Sequence, residues 1–240
     1  MNNIVVLSPE VSKESAGILA EALGAKLEFP YKTENRDFNN YDYVFKYGFS
    51  KPIKAKKGCV FNKSKAVEIS RDKVSTFNAL KGLGITVDFT DDYPIARDWM
   101  KDGHTVVARK YSKESNGKGM SYCTSLGQLE NTDAVFWTKC EYEAQELRVN
   151  LWHNRVISIY VKIKENDFFV FKLHKGMEEH PQLVNIANKV YDKIGLDFCG
   201  LDILNDKEGN LLLLEVNSAP ILFPYTCNKL VACIKKEINK

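Results

Sequence analysis

The sequence predicts a protein of mixed helices and strands that opens as a small α/β unit and closes on a long β-hairpin backed by a helix. Three observations carry this. Short apolar runs near the N-terminus flank one helical stretch. Apolar residues recur at helical spacing after Ser70 and again after Pro181. Two apolar runs between Phe198 and Pro220 enclose the turn-forming residues 205–210.

Taken in order, residues 4–7 read as a buried strand. Ile18, Leu19, Ala22 and Leu23 form the inner stripe of a helix ending at Gly24, and residues 26–29 form a second strand. Residues 43–45 and 59–61 add further strands to this Rossmann-like unit. No G-x-G-x-x-G follows its first strand, so dinucleotide binding is not expected there, and a structural and substrate-facing role is. Lys51, Lys54, Lys56 and Lys57 form a cationic run, either a solvated surface or an anionic-substrate patch. From Ser70 a helix is expected with Val74, Phe77, Leu80 and Leu83 inward, stopped by Gly82 and Gly84.

Residues 105–110 read as a strand. The small residues that follow, up to Met120, suit a hairpin turn or a loop whose successive N–H groups face one anion. Strands are expected over 134–140, 146–151 and 156–164, the last with Lys162 and Lys164 on one face. Pro181 and Gly195 bound an amphipathic helix with Leu183, Ile186, Ala187, Val190 and Ile194 inward, and a final helix is expected over about 228–238.

Of the 240 residues, 27% are charged and 44% hydrophobic, which suits an ordinary soluble globular chain of one large or two small domains. A net charge of +3 permits an anionic substrate such as a nucleotide and argues against a dedicated nucleic-acid binder. Six cysteines without C-x-x-C spacing point to reduced thiols in a cytoplasmic setting. The N-terminus does not read as a signal peptide, and no apolar run is long enough to span a membrane.

The hairpin carries the chemistry. Asp202 interrupts its first apolar run, and Glu215 and Asn217 close the second on one face. Antiparallel pairing can bring Asp202 opposite them. Carboxylates set among leucines and valines either turn to solvent or share a hard divalent cation that offsets their repulsion and lost hydration. Spacing alone leaves both readings open.

Gly200-Leu201-Asp202 followed by Leu213-Leu214-Glu215-Val216-Asn217-Ser218-Ala219-Pro220 resembles the metal-binding end of the ATP-grasp ligases. From Ser70 to Pro220 five motifs stand in that family's order. The nearest shape is the compact glutamate-ligase-like group, of the ribosomal-protein-modifying type, some of whose members occur in bacteriophage genomes.

The resemblance implies an α+β enzyme whose two subdomains sandwich ATP behind a Rossmann-like N-terminal domain. Its expected bounds are 1–68 for the N-terminal domain and 69–240 for the ATP-grasp domain, with a nucleotide lid at about 97–140 and a metal-binding part at 141–240. It implies a metal on Asp202, Glu215 and Asn217, magnesium in the first place and manganese as a substitute. Lys73 and Arg109 fall at phosphate-binding positions, Arg109 where the family usually has lysine, and Gly117 and Gly119 lie in the glycine-rich loop. Trp137, Thr138, Lys139 and Cys140 form the hinge whose backbone reads adenine. Glu146 accepts from the ribose, Arg148 points into the reaction centre, and Lys162, in preference to Lys164, lies near the transferred phosphoryl group. Lys172 takes the place of an asparagine that contacts metal or phosphates.

The implied reaction joins a carboxylate substrate to an amine substrate through an acyl phosphate, releasing ADP and phosphate. A phosphotransferase, a nucleotide-regulated binding module without turnover and a nucleic-acid-binding protein are the rival readings. Dimers are common in the family, so a second copy of the chain is an allowed partner.

Overall fold

The computed structural model describes residues 2–30, 36–113, 118–140, 144–165 and 168–239. Its N-terminal sheet is parallel throughout. It comprises β1 (Ile4–Leu7), β2 (Lys26–Glu28), β3 (Tyr43–Lys46) and β4 (Val60–Phe61), in the order β2-β1-β3-β4, with α1 (Lys13–Leu23) as the crossover between β1 and β2. Gly24 closes α1 in the left-handed conformation that glycine adopts without strain.

The helix expected from Ser70 is two helices, α2 (Ser64–Arg71) and α3 (Lys73–Leu80). Asp72 breaks them because its backbone is extended while its carboxylate accepts from the Ser75 N–H at 3.0 Å, capping α3. The expected boundary at residue 68 falls inside α2, whose Ala66 and Val67 pack in the core of the C-terminal sheet.

A four-stranded sheet follows, ordered β5-β8-β6-β7, from β5 (Phe89–Thr90), β6 (Val106–Arg109), β7 (Met120–Cys123) and β8 (Phe136–Lys139). Two helices absent from the sequence reading cover it, α4 (Tyr93–Lys101) and the short α5 (Leu126–Glu130). The signal for α4 was present, since Tyr93, Ala96, Trp99 and Met100 recur at helical spacing and pack on this sheet.

The C-terminal sheet is antiparallel and five-stranded, ordered β11-β10-β9-β12-β13. Its strands are β9 (Gln145–Trp152), β10 (Arg155–Glu165), β11 (Phe168–His174), β12 (Phe198–Asn205) and β13 (Leu211–Asn217). Leu147, Val149 and Leu151 face a core built with α6 (Pro181–Ile194), whose five expected inward residues are all buried. The other face of β9 carries Glu146, Arg148 and Asn150, and then Trp152.

Trp152 and Phe198 close one end of that face against Phe45, Phe61 and Leu19 of the N-terminal unit and Leu230 of α7 (Pro224–Ile238). α7 starts at Pro224, earlier than the expected 228. Leu204, Leu212 and Leu214 close the other end with Phe136 of the middle sheet. Between these two apolar ends lies a polar stripe.

Candidate active site

Strand pairing assembles this stripe. Glu146 lies opposite Lys162 and Leu204; Arg148 lies opposite Tyr160 and Asp202; Asp202 lies opposite Glu215; Gly200 lies opposite Asn217. A bulge after Asp202 sets Ile203 against Leu213, so Asp202 and Glu215 face each other directly. Arg148, Glu146, Lys162, Asp202, Glu215 and Asn217 thus share one face.

The contacts are ionic and mostly shielded from water. Arg148 grips Asp202 with a fork, Nε to Oδ1 at 2.5 Å and Nη2 to Oδ2 at 3.1 Å. Burial opposes its charge, but the Asp202 carboxylate outweighs this and holds the guanidinium above its ordinary pKa. Asn217 Nδ2 reaches Asp202 Oδ2 at 3.4 Å. Lys162 Nζ sits 2.5 Å from Glu146 Oε1, and burial raises the Glu146 pKa although Lys162 counteracts it.

Two further cations arrive from outside the sheet. Lys73, the first residue of α3, places Nζ 2.9 Å from Glu215 Oε1. Its backbone N–H donates to the Ser112 carbonyl at 2.8 Å, and Ser112 Oγ donates to Asp72 at 3.1 Å, so the loop leaving β6 is tied to the start of α3. Arg109, at the end of β6, lies over the Phe136 ring and donates to Met120 Sδ; burial pushes its pKa down while the field of Glu215 opposes this.

Gly119 has φ +71°, and a Cβ there would stand 2.6 Å from the Tyr111 ring, so glycine is required on both counts. Gly117 lies outside the described residues. Trp137 and Thr138 are buried in β8, which pairs on both sides, with β5 and β6. The N–H groups of Lys139 and Cys140 already donate to Asp88 and Thr105. The ladder runs on through Lys139 and engages these two N–H groups. Lys139 Nζ pairs with Asp88 at 2.9 Å. Lys172 is not brought to the cluster: alternation turns it to the other face of β11, where it pairs with Glu165 at 3.0 Å, both exposed.

An aromatic wall that the sequence does not announce lines the same face. The Phe171 ring lies beneath Arg148, Phe223 packs on Phe171, and Tyr160 packs on Phe223 at 4.5 Å between ring centroids. Alternation along β10 and β11 was the available signal. Equally unannounced is the seam to the N-terminal unit, where Tyr47 donates to the Pro220 carbonyl and Asn62 bonds the backbone of Phe198.

The donor set suits magnesium held partly by phosphate oxygens. Two carboxylates and an amide converge, while no group of three or more His, Cys, Asp or Glu side chains able to hold a metal occurs among the described residues.

Comparison with known structures identifies the fold. The fold matches that of ATP-grasp ligase PsnB complexed with minimal precursor, with TM-score 0.71, 13% identity and coverage of 99% of this chain and 100% of that one. It matches D-alanyl-alanine synthetase A from Vibrio cholerae O1 biovar eltor with TM-score 0.69, 14% identity and coverage of 100% and 99%. This chain has the ATP-grasp fold. Within it, residues 137–234 match the family described as the RimK-like ATP-grasp domain. The chain is 28% identical over 185 residues to a probable alpha-L-glutamate ligase of Vibrio parahaemolyticus serotype O3:K6, covering 68% of this chain and 60% of that protein. A probable alpha-L-glutamate ligase of Vibrio vulnificus is 27% identical over 184 residues. The matched region spans about 60% of the length of these relatives. Among the described residues no helix is long and apolar enough to cross a membrane.

Proposed function

We propose that this chain is an ATP- and magnesium-dependent carboxylate-amine ligase that works through an acyl phosphate and releases ADP and phosphate. The observation that carries this reading is the convergence of Lys73, Arg148 and Lys162 with Glu146, Asp202, Glu215 and Asn217 along one sheet face, in a fold shared with ligases.

A carboxylate is a poor electrophile because oxide would have to leave, and phosphorylation supplies a better leaving group. Asp202, Glu215 and Asn217 would hold the metal, whose chemistry here is to neutralise phosphate charge during transfer. Lys73 and Arg109 compensate the phosphates, and Lys162 lies near the moving phosphoryl group. Glu146 accepts from the ribose. Arg148, braced by Asp202 and Phe171, stabilises the oxyanion formed when the amine attacks. The loop after Arg109 closes over the phosphates and excludes water, which would hydrolyse the acyl phosphate. The relatives' names suggest an amino acid or a peptide as one of the two substrates.

The test is ATP turnover across pools of amino acids, peptides, polyamines and small acids, with hydroxylamine as the trap. ADP together with a hydroxamate is the expected result. Release of AMP, or unchanged turnover in a D202N/E215Q double variant, would overturn the reading.

A further inference from the structure

Arg148 divides the working face of the C-terminal sheet into two unlike halves. Strand register sets Glu215, Asp202, Arg148, Tyr160 and Leu173 in one row from β13 to β11. Carboxylates lie on one side of the guanidinium, and a tyrosine and a leucine lie on the other. Phe171 sits beneath Arg148 at 5.6 Å, and Phe223, from the segment entering α7, packs on Phe171 at 5.4 Å. This apolar half reaches the surface: Leu173 is 39% exposed, Ile221 on the same entering segment is 54% exposed, and Phe171 and Phe223 are half-buried.

We infer that the amine substrate carries an apolar or aromatic side chain, which seats on Phe171, Leu173 and Phe223. The inference rests on the ligase reading given above. In that reading the metal and the phosphates occupy the carboxylate side of Arg148, so the second substrate approaches from the side of Tyr160 and Leu173. An apolar group laid on these partly exposed rings and leucine takes area out of water on both partners. An acidic side chain on the same surface would lose hydration without gaining a counter-charge. The cations nearby are engaged elsewhere: the Arg148 fork holds Asp202, Lys162 holds Glu146, and Lys175 and Lys229 both lie over the Tyr225 ring. The wall therefore selects by shape and apolar contact, and it selects against charge.

The test follows amide formation by the full chain with ATP, magnesium and whichever acid yields a hydroxamate with hydroxylamine. The amines compared are the α-amides of L-phenylalanine, L-leucine and L-glutamate. The two apolar amines are expected to show kcat/KM about tenfold or more above the acidic one, the usual reach of an apolar subsite. L173K sets an ammonium on the wall and should cut that ratio about tenfold, by raising kcat/KM for the glutamate amide. A ratio taken on one preparation does not depend on the fraction folded. Preference for the glutamate amide, no amide from either apolar amine, or a ratio that L173K leaves unchanged would overturn the inference, while the hydroxamate keeps the ligase reading standing. No ADP and no hydroxamate from any acid would overturn the ligase reading, and the inference with it.

Discussion

Arg148 and Asp202, 54 positions apart in sequence, meet through a two-point fork on neighbouring strands, with side chains only 10% and 11% exposed. Each removes the cost of burying the other. Their pairing also holds the guanidinium over the Phe171 ring, 5.6 Å from its centroid.

R148M leaves the Asp202 carboxylate buried without a counter-charge. Unfolding in urea should show a loss of about 3–5 kcal/mol. Adding D202N should recover most of that stability, since the uncompensated charge is then gone, but should restore no turnover. Full additivity of the two changes would show that the pair is not coupled.

Gly200 is the close-approach point beneath the site. A Cβ there would lie 2.6 Å from Pro220 Cβ and 3.2 Å from both Arg148 Cδ and Asn150 Oδ1. Gly200→Ala should destabilise the protein by about 1–3 kcal/mol, as overpacking does, and should lower kcat by displacing Arg148. A denaturation midpoint equal to the wild type's would contradict the contact.

Lys46 is fully buried, with its amine bonded to Ser64 Oγ and to the Lys51 carbonyl at 2.7 Å. Burial pushes its pKa down to about 8 from an ordinary 10.5. Between those values the unfolded chain binds the extra proton, so this group makes stability rise with pH above about 8. Burial of Cys199 acts in the opposite sense above pH 9, because its pKa is raised from 9.0 to about 12. The clean window is therefore pH 8 to 9. There K46M should lose the upward slope that the wild type shows in chemical denaturation.

Much of the site was legible because a hairpin is a local device. Turn residues 205–210 and the alternation of Glu215 and Asn217 dictate which side chains share a face, and antiparallel return leaves few registers for Asp202. The amphipathic stripe of α6 was equally plain, since a wide apolar face repeats every 3.6 residues. The break at Asp72 was not legible, because a capping aspartate within a run of helix formers looks like a surface residue until Ser112 and Ser75 come to it. Lys172 was assigned by motif order; its face depends on the register of β11 against β10, where Val161 rather than Lys162 is its partner.

By itself, the sequence determined which residues carry charge toward a common face of the hairpin, because alternation and turn chemistry act over a few residues. Only the tertiary structure decided which cation meets which carboxylate. Lys73 reaches Glu215 across 142 positions, and Tyr47 reaches Pro220 across 173. Such pairings are set by how three sheets pack on shared apolar clusters, and the pattern of a single segment does not contain that information.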